Sequence, residues 1–228
     1  MTSHFMIIRK TVHHLSIQNG SFLLSIMIVL TGLPSFAFAQ EEASRTFAKD
    51  LVEAAIERTH YDVQYDGSYR VIPYPMGDVP DDVGVCTDVV IRAYRTLGID
   101  LQQLVHEDML GHFPAYPKHW GLHKPDANID HRRVPNLQTF LTRHGTVLPV
   151  TSMGADYKAG DLVTWTVSHH LPHIGIVTDH LVSGTDRAMM VHNIGGGPTL
   201  DDMLFAFPIT GHFRYEHKRG TTPTRPNQ

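Results

Sequence analysis

Four stretches of the chain repeat apolar residues every three or four positions, the spacing that gives a helix one buried face. Three strong patterns span residues 41–59, 85–97 and 134–144, and a shorter one covers residues 101–110. Helix signals support two of these boundaries, because Gly98 follows the second pattern and Pro135 opens the last. The first part of the domain is therefore predicted to be helical, with long structured loops between the helices.

After residue 146 the pattern changes to short apolar or alternating runs, separated by Gly, Pro, Ser and Asp. Strands are predicted at residues 147–150, 161–167, 173–178, 188–194 and 205–215, with room for one more at 69–72. Helices first and strands later indicate an α+β domain. We expect the helices to pack on an antiparallel, partly barrel-like sheet.

The N-terminus has the pattern of a secretory signal peptide. A basic, acid-free segment is followed by an apolar run, and Ala37 and Ala39 form a small-x-small cleavage pattern. An uncleaved anchor is the alternative, but the stretch 22–39 is short for a span and contains Gly32 and Pro34. We therefore expect a periplasmic or secreted protein with no membrane span after cleavage. The predicted organisation is a leader at residues 1–39, a domain at 40–217 and a flexible tail at 218–228.

Charge argues against two classes of partner. The chain has 19 Lys and Arg against 23 Asp and Glu, a net charge of −4, and two of the basic residues lie in the leader. Nucleic-acid-binding domains usually show a basic surplus, and lipid-surface binders a polybasic stretch. The sequence has neither, so we expect no nucleic-acid partner.

Cysteine usage is the sharpest global feature. The 228 residues include one Cys, Cys86, whereas exported proteins usually carry cysteines as disulfide pairs. A single Cys in an exported protein is a buried small hydrophobe, an intermolecular bridge or a working thiol. The surroundings of Cys86 must decide between these.

A thiol hydrolase needs a thiolate, a histidine base and a third group that orients the base. Cys86 lies at the start of a predicted helix, where the helix dipole lowers a thiol pKa. His173 opens a predicted strand, and His192 lies on the next strand. Neighbouring strand residues point to opposite faces, so either His192 or Asn193 could be the third group. We predict Cys86, His173 and His192 as the catalytic set.

The motifs around these residues resemble those of a known group. Cys-x-Asp at a helix start, then Gly-Asp-Leu-Val, His-Ile-Gly-Ile-Val and Val-His are similar to motifs of the NlpC-type cell-wall cysteine peptidases, which belong to the papain-like superfamily. Thr87 and Asp88 follow the Cys here, where Ser-Gly is usual in that group. The resemblance implies a papain-like fold, with Cys86 as the nucleophile, His173 as the base and His192 as the third residue.

A closer resemblance spans nearly the whole mature chain. It rests on five blocks: residues 77–80, 84–88, 128–133, 192–195 and 211–215. Together they resemble the YijF-like family of exported bacterial proteins, which has no known function and is grouped with the papain-like peptidases.

Several polar residues are weaker candidates for substrate binding. An arginine can hold a carboxylate through two hydrogen bonds, so the charged segment at 130–133 could recognise an acidic group. An exposed, salt-bridged loop is the equal alternative. The candidates are Asp88, Asp130, His131, Arg132 and Asn193. His119, His123 and Asp126 lie in a proline-bracketed loop without the spacing of a helical metal site, so we predict no metal and no cofactor.

The sequence thus predicts an exported cysteine hydrolase that cleaves an amide bond through a thioester on Cys86. Export and resemblance together indicate a peptidoglycan peptide, or another amide of the cell envelope, as substrate. Two alternatives stay open: an acyltransferase or amidase on the same scaffold, and a non-catalytic module that binds the envelope.

Overall fold

The computed structural model describes residues 23–217, with side chains described for residues 38–217 except His169. The chain divides into two units, Met1–Glu42 and Ala43–Gln228. Most of the predicted leader and the whole predicted tail lie outside the described residues, and residues 23–39 form the first part of a long helix. Among the described residues, no helix combines the length and apolar character needed to cross a membrane.

A helix occupies each of the four stretches that the apolar spacing predicts, although the first helix begins well before residue 41. They are α1 (Leu23–Glu57), α2 (Cys86–Thr96), α3 (Leu101–His112) and α4 (Val134–His144). Local chemistry sets their ends. The Asp100 carboxylate accepts a hydrogen bond from the Gln102 backbone N–H and caps α3, while Gly98 adopts a left-handed conformation (φ 77°) just beyond α2.

A six-stranded sheet follows the helices and is antiparallel at every pairing. Its strands are β3 (Thr146–Val147), β4 (Leu162–Val167), β5 (Leu171–Leu181), β6 (Ala188–His192), β7 (Thr199–Asp201) and β8 (Ile209–Arg214). The spatial order is β3-β8-β4-β5-β6-β7, so the pairing of the described strands leaves the sheet open rather than closed into a barrel. The prediction of an α+β domain with an antiparallel sheet is confirmed.

Several strand predictions differ from the structure, and the strand predicted at 147–150 is the shorter β3 (Thr146–Val147). Residues 69–72 form no strand; the strand of that loop is β1 (Gln64–Tyr65), which pairs in parallel with β2 (Val83–Gly84). The last strand begins only at Ile209, because residues 204–206 form a turn. Strand β7 was not predicted, since three residues are too few to show a period.

Apolar side chains cover both faces of the sheet. On one face, Ile174 and Ile176 of β5 pack in the same cluster as Cys86 and Val90 of α2. On the other face, a second cluster is built around Trp165 of β4. Because successive strand residues alternate between faces, the strands are apolar on both sides, which is why they look like continuous apolar runs in the sequence. The Cys-bearing helix therefore lies directly on β5.

Candidate active site

Strand β2 and helix α2 fix the position of Cys86. Gly84, the last residue of β2, pairs with Tyr65, and Val85 in an extended conformation separates it from the helix. The Asp88 carboxylate accepts a 2.7 Å hydrogen bond from the Val85 backbone N–H, which satisfies one free donor at the helix N-terminus. Cys86 is therefore the first residue of α2, at the end of the helix that favours a negative charge.

The sulfur of Cys86 is surrounded by hydrogen-bond donors. The backbone N–H groups of Ile174, Thr87 and Cys86 itself favour the thiolate, and the Tyr65 hydroxyl hydrogen-bonds to the Cys86 side chain. Ile174 follows His173 on β5. The interaction of its N–H with the Cys86 thiol therefore places the thiol next to the strand that carries His173, the predicted base. The side chain of Cys86 is nevertheless only 4% exposed.

Burial decides the charge of this thiol. Desolvation raises the pKa of Cys86 to about 11, and the nearby Asp88 carboxylate adds to the rise, while the N–H groups oppose it. The N–H groups at the helix start thus lower the thiol pKa as expected, but burial outweighs them, so the expected net lowering is wrong for the resting protein. The sequence showed the helix N-terminus but not the depth at which it is buried.

The side chains of the two histidines predicted to be catalytic contact each other. His173 Nε2 lies 3.2 Å from His192 Nδ1, with the rings nearly perpendicular at 87°. Both side chains are buried, and the ring of His173 also lies beside the indole of Trp165. The His192 contact uses Nε2 of His173, so Nδ1 is the ring nitrogen left to accept a proton from a thiol.

Both imidazoles are neutral at physiological pH. Desolvation, and then the neighbouring His192, lower the pKa of His173 to about 3. Burial also lowers the pKa of His192, and the charge of Asp201 partly offsets that effect. The resting protein therefore holds a neutral thiol at the start of α2 and a neutral histidine pair on β5 and β6.

Of the two candidates for the third residue, His192 is the one that contacts His173. Asn193 is fully buried, and its side-chain oxygen accepts a 3.0 Å hydrogen bond from the Gly195 backbone N–H. That bond shapes the glycine-rich turn between β6 and β7. The Asn193 side chain therefore stabilises the turn rather than contacting His173. The sequence alone could not decide between His192 and Asn193, because the strand register was unknown.

Tyr65 is a site residue that the sequence analysis missed. Pairing of β1 with β2 places it next to the residues that lead into α2, and its ring is 44% exposed. Burial, Cys86 and Asp88 raise the pKa of Tyr65 to about 12, so its hydroxyl stays a hydrogen-bond donor. The Tyr-rich loop was visible in the sequence, but its pairing partner was not.

Two of the predicted substrate-binding residues instead pair with each other. The Arg132 guanidinium donates from Nε and Nη2 to the two Asp88 carboxylate oxygens, each at 2.9 Å, and both side chains are buried. Arg132 also donates to the carbonyl oxygens of Asp66 and Ser68, and its own carbonyl accepts from the Thr87 hydroxyl. Arg132 is therefore salt-bridged, as in the second interpretation, but buried rather than exposed, and its guanidinium is not free to hold a substrate carboxylate. It joins the first turn of α2 to the loop after β1.

The neighbouring Asp130 and His131 are also buried rather than open to a ligand. The Asp130 carboxylate accepts a hydrogen bond from the Asp126 backbone N–H, and burial raises its pKa to about 6. Burial, followed by the charge of Arg132, lowers the pKa of His131 to about 3. Together with the Asp88–Arg132 ion pair, this segment supports the first turn of α2.

Arg92 is a second buried arginine that anchors α2. Its guanidinium is buried, pairs with Asp78 and donates to the carbonyl oxygens of Val79, Pro80 and Val83. These contacts hold the segment that enters β2, so α2 is anchored on several sides. Within the described part of the chain, no cluster of three or more His, Cys, Asp or Glu side chains is arranged to hold a metal ion.

The rate at which the Cys86 thiol is alkylated should reflect its raised pKa. Because the reactive thiolate is scarce below pH 11, iodoacetamide labelling of folded protein should be slower at pH 7 than that of an ordinary thiol of pKa about 8.5. The rate should rise about tenfold per pH unit up to about pH 10. Mass spectrometry of quenched samples gives the rate, with urea-unfolded protein as control. Fast labelling that does not change from pH 5 to 8 would instead indicate a thiolate–imidazolium pair.

Gly175 should be intolerant of a side chain because it lies against His192. A Cβ atom there would lie 3.1 Å from the His192 Cβ, 3.0 Å from the Val191 carbonyl oxygen and 3.3 Å from the Trp165 ring. Gly175→Ala should therefore displace His192 and lower the free energy of unfolding by about 1–3 kcal/mol, as measured by urea unfolding. Gly111→Ala is the matched control, since a Cβ at Gly111 meets open space. Equal free energies of unfolding for the two variants would contradict the geometry.

Comparison with known proteins gives a family without a known activity. Residues 52–215 match the family described as "Domain of unknown function (DUF1287)". The chain is 50% identical over 152 residues to "Uncharacterized protein YijF" of Escherichia coli (strain K12), an alignment that covers 66% of this chain and 73% of that protein. The predicted YijF-like membership is thereby confirmed, whereas the likeness to NlpC-type peptidases stays a prediction. This chain belongs to the DUF1287 family.

Proposed function

We propose that this protein is an exported cysteine hydrolase that cleaves an amide bond in peptidoglycan peptides, with Cys86, His173 and His192 as its catalytic residues. The observation that carries the proposal is the 3.2 Å contact between the two histidine rings on strands next to the N-terminus of α2. Buried histidines with lowered pKa values are typical of functional sites, because such sites hold titratable groups in environments that shift their pKa values. We expect the domain to be papain-like in this sense: a Cys-bearing helix packed on an antiparallel sheet that supplies the base.

The proposed reaction begins with a proton transfer. As the sulfur of Cys86 attacks the amide carbonyl carbon, its proton moves to His173 Nδ1, and the sulfur electron pair forms the new S–C bond. His173 then gives this proton to the leaving amine as the C–N bond breaks, which leaves a thioester on Cys86. Water, activated by the same imidazole, attacks the thioester and releases the acid.

The charge states of the resting site fit general-base catalysis. Neutral thiol and neutral imidazole coexist over the whole range between their shifted pKa values, about 3 for His173 and about 11 for Cys86. The base is therefore available at neutral pH without a preformed ion pair. This differs from the thiolate that the sequence alone suggested.

Two donors near the sulfur suit the oxyanion of the tetrahedral intermediate. One is the backbone N–H of Cys86, at the positive end of the α2 dipole. The other is the Tyr65 hydroxyl, which already hydrogen-bonds to the Cys86 side chain. Preorganised donors of this kind typically contribute about 3–4 kcal/mol each to lowering the barrier.

The substrate class rests on export and on resemblance. The leader-like N-terminus supports a periplasmic or secreted location, and the motifs similar to NlpC-type peptidases support a cell-wall peptide. Exposed apolar side chains on the loop after β1, among them Tyr69, Val71 and Met76, offer a surface on which such a peptide could lie. An acyltransferase or amidase would use the same residues with another acceptor or amide.

One observation favours the alternative of a non-catalytic envelope-binding module. The Cys86 side chain is 4% exposed and its pKa is raised, which is also the state of an inert structural cysteine. In that case the site would bind without turnover.

Incubation of the purified mature protein with muropeptides separates these possibilities. Liquid chromatography with mass spectrometry should show cleaved peptides, with one water added per bond broken. A repeat with an added amine acceptor separates the classes further, since a transferase would give the aminolysis product in place of the acid. Binding of muropeptides without any product, at enzyme concentrations equal to substrate, would favour the module.

A further inference from the structure

Strand β7 places the carboxylate of Asp201 beside His192, on the side of that ring away from His173. In its pairing with β6, Thr199 lies opposite His192 and Asp201 opposite Met190. The Asp201 carboxylate oxygen Oδ2 lies 3.6 Å from His192 Nε2. Asp201 therefore faces the nitrogen of His192 that is turned away from His173.

That nitrogen lacks any closer partner among the described residues. His192 is 1% exposed, and its Nε2 is buried without a hydrogen bond in the described part of the chain. A buried ring nitrogen normally has a partner, since leaving it unpaired costs about 1–3 kcal/mol. The negative charge of Asp201 raises the pKa of His192 against the effect of burial. A small closing movement of β7 would turn the 3.6 Å separation into a hydrogen bond.

The tautomers of the two rings are linked. Two neutral imidazoles that share one hydrogen bond must place a proton on one of the facing nitrogens and a lone pair on the other. For His173 to accept the thiol proton at Nδ1, its own proton must sit on Nε2 and point at His192 Nδ1. His192 must then carry its proton on Nε2, the nitrogen that faces Asp201.

We propose that Asp201 is a positioning residue that holds His192 in the Nε2–H tautomer, and through it keeps His173 Nδ1 free to take the proton of Cys86. The chain of contacts runs from His173 through His192 to Asp201, and the Ile174 backbone N–H brings Cys86 to the same strand as His173. When His173 becomes positively charged during attack, the carboxylate at the end of the chain also stabilises that charge. This inference rests on the proposed function, but its first consequence concerns the resting protein.

Nitrogen-15 NMR of the histidine rings tests the tautomer without any turnover. At pH 7 the wild-type protein should show both His173 and His192 protonated at Nε2. In Asp201→Asn the side-chain amide can donate to His192 Nε2, so the His192 proton should move to Nδ1 and the His173 proton should follow. Asp202→Asn is the matched control: Asp202 neighbours Asp201 but pairs with Arg187, so the tautomers should stay as in the wild type.

Kinetics on an active muropeptide gives the second readout. Asp201→Asn should lower kcat about 10- to 100-fold with little change in KM. This loss is smaller than the ~10⁴-fold loss in kcat for a fully buried triad aspartate, because the Asp201 side chain is 55% exposed. Asp201→Glu, which keeps the carboxylate, should recover part of the loss. Wild-type tautomers in Asp201→Asn would overturn the inference even if the protein is a hydrolase. The expected tautomer change in a protein without turnover would support the inference and count against the hydrolase.

Discussion

Replacement of Cys86 by alanine is expected to remove turnover while the fold is kept. In the proposed reaction the sulfur forms the bond to the substrate, so without it only uncatalysed attack by water remains, and kcat should fall by about 10⁴-fold or more. Only one buried heavy atom is lost, at a site of 4% exposure next to the helix start, so the cavity is small. Product formation from muropeptides, followed by liquid chromatography with mass spectrometry, measures the effect.

His173→Ala is the companion variant. Residues that act as one unit are not additive, so loss of the base should cost nearly as much as loss of the nucleophile, and the double variant should be no worse than either one. Circular dichroism and a urea transition on each variant show whether the fold is kept. If Cys86→Ala retains wild-type turnover, the thiol is structural and another group carries the chemistry.

Replacement of Arg132 by methionine is expected to have the largest effect on stability. The change leaves the Asp88 carboxylate, 3% exposed, without its positive partner, and two loop carbonyls lose their donor. Removing one partner of a buried ion pair typically costs about 3–5 kcal/mol. The midpoint of urea unfolding gives the loss in free energy of unfolding.

Two further variants test whether the stability lost in Arg132→Met comes from the unpaired buried charge. Arg70→Met removes the partly exposed Arg70–Asp66 pair and should cost at most about 1 kcal/mol. The double variant Asp88→Asn with Arg132→Met no longer buries an unpaired charge, so it should recover part of the stability lost in Arg132→Met. Equal losses for Arg132→Met and Arg70→Met would mean that the buried pair does not anchor the first turn of α2.

The sequence predicted what depends on local periodicity. Helix α2 and its start at Cys86 follow from apolar spacing, Gly98 and nearby capping residues, and strands β4 to β6 follow from their apolar runs. The meeting of His173 and His192 could be anticipated because consecutive antiparallel strands place such residues side by side.

What the sequence could not predict depends on long-range pairing and burial. The Asp88–Arg132 ion pair joins positions 44 residues apart, so an arginine that looked free for a substrate is in fact occupied. Tyr65 reaches Cys86 only because two-residue strands pair in parallel. The thiol pKa depends on the depth of burial, which a pattern along the chain does not give. Asp201 escaped notice because β7 is three residues long.

Detection of a covalent intermediate on Cys86 tests the central claim most directly. Wild-type protein mixed with an excess of an active muropeptide and quenched in acid within milliseconds to seconds should gain the mass of the acyl fragment. Peptide mapping should place that mass on Cys86, and hydroxylamine should remove it, as expected of a thioester. Cys86→Ala should show no such adduct. Full turnover by the wild type with no adduct at any quench time, together with turnover by Cys86→Ala, would contradict a cysteine hydrolase.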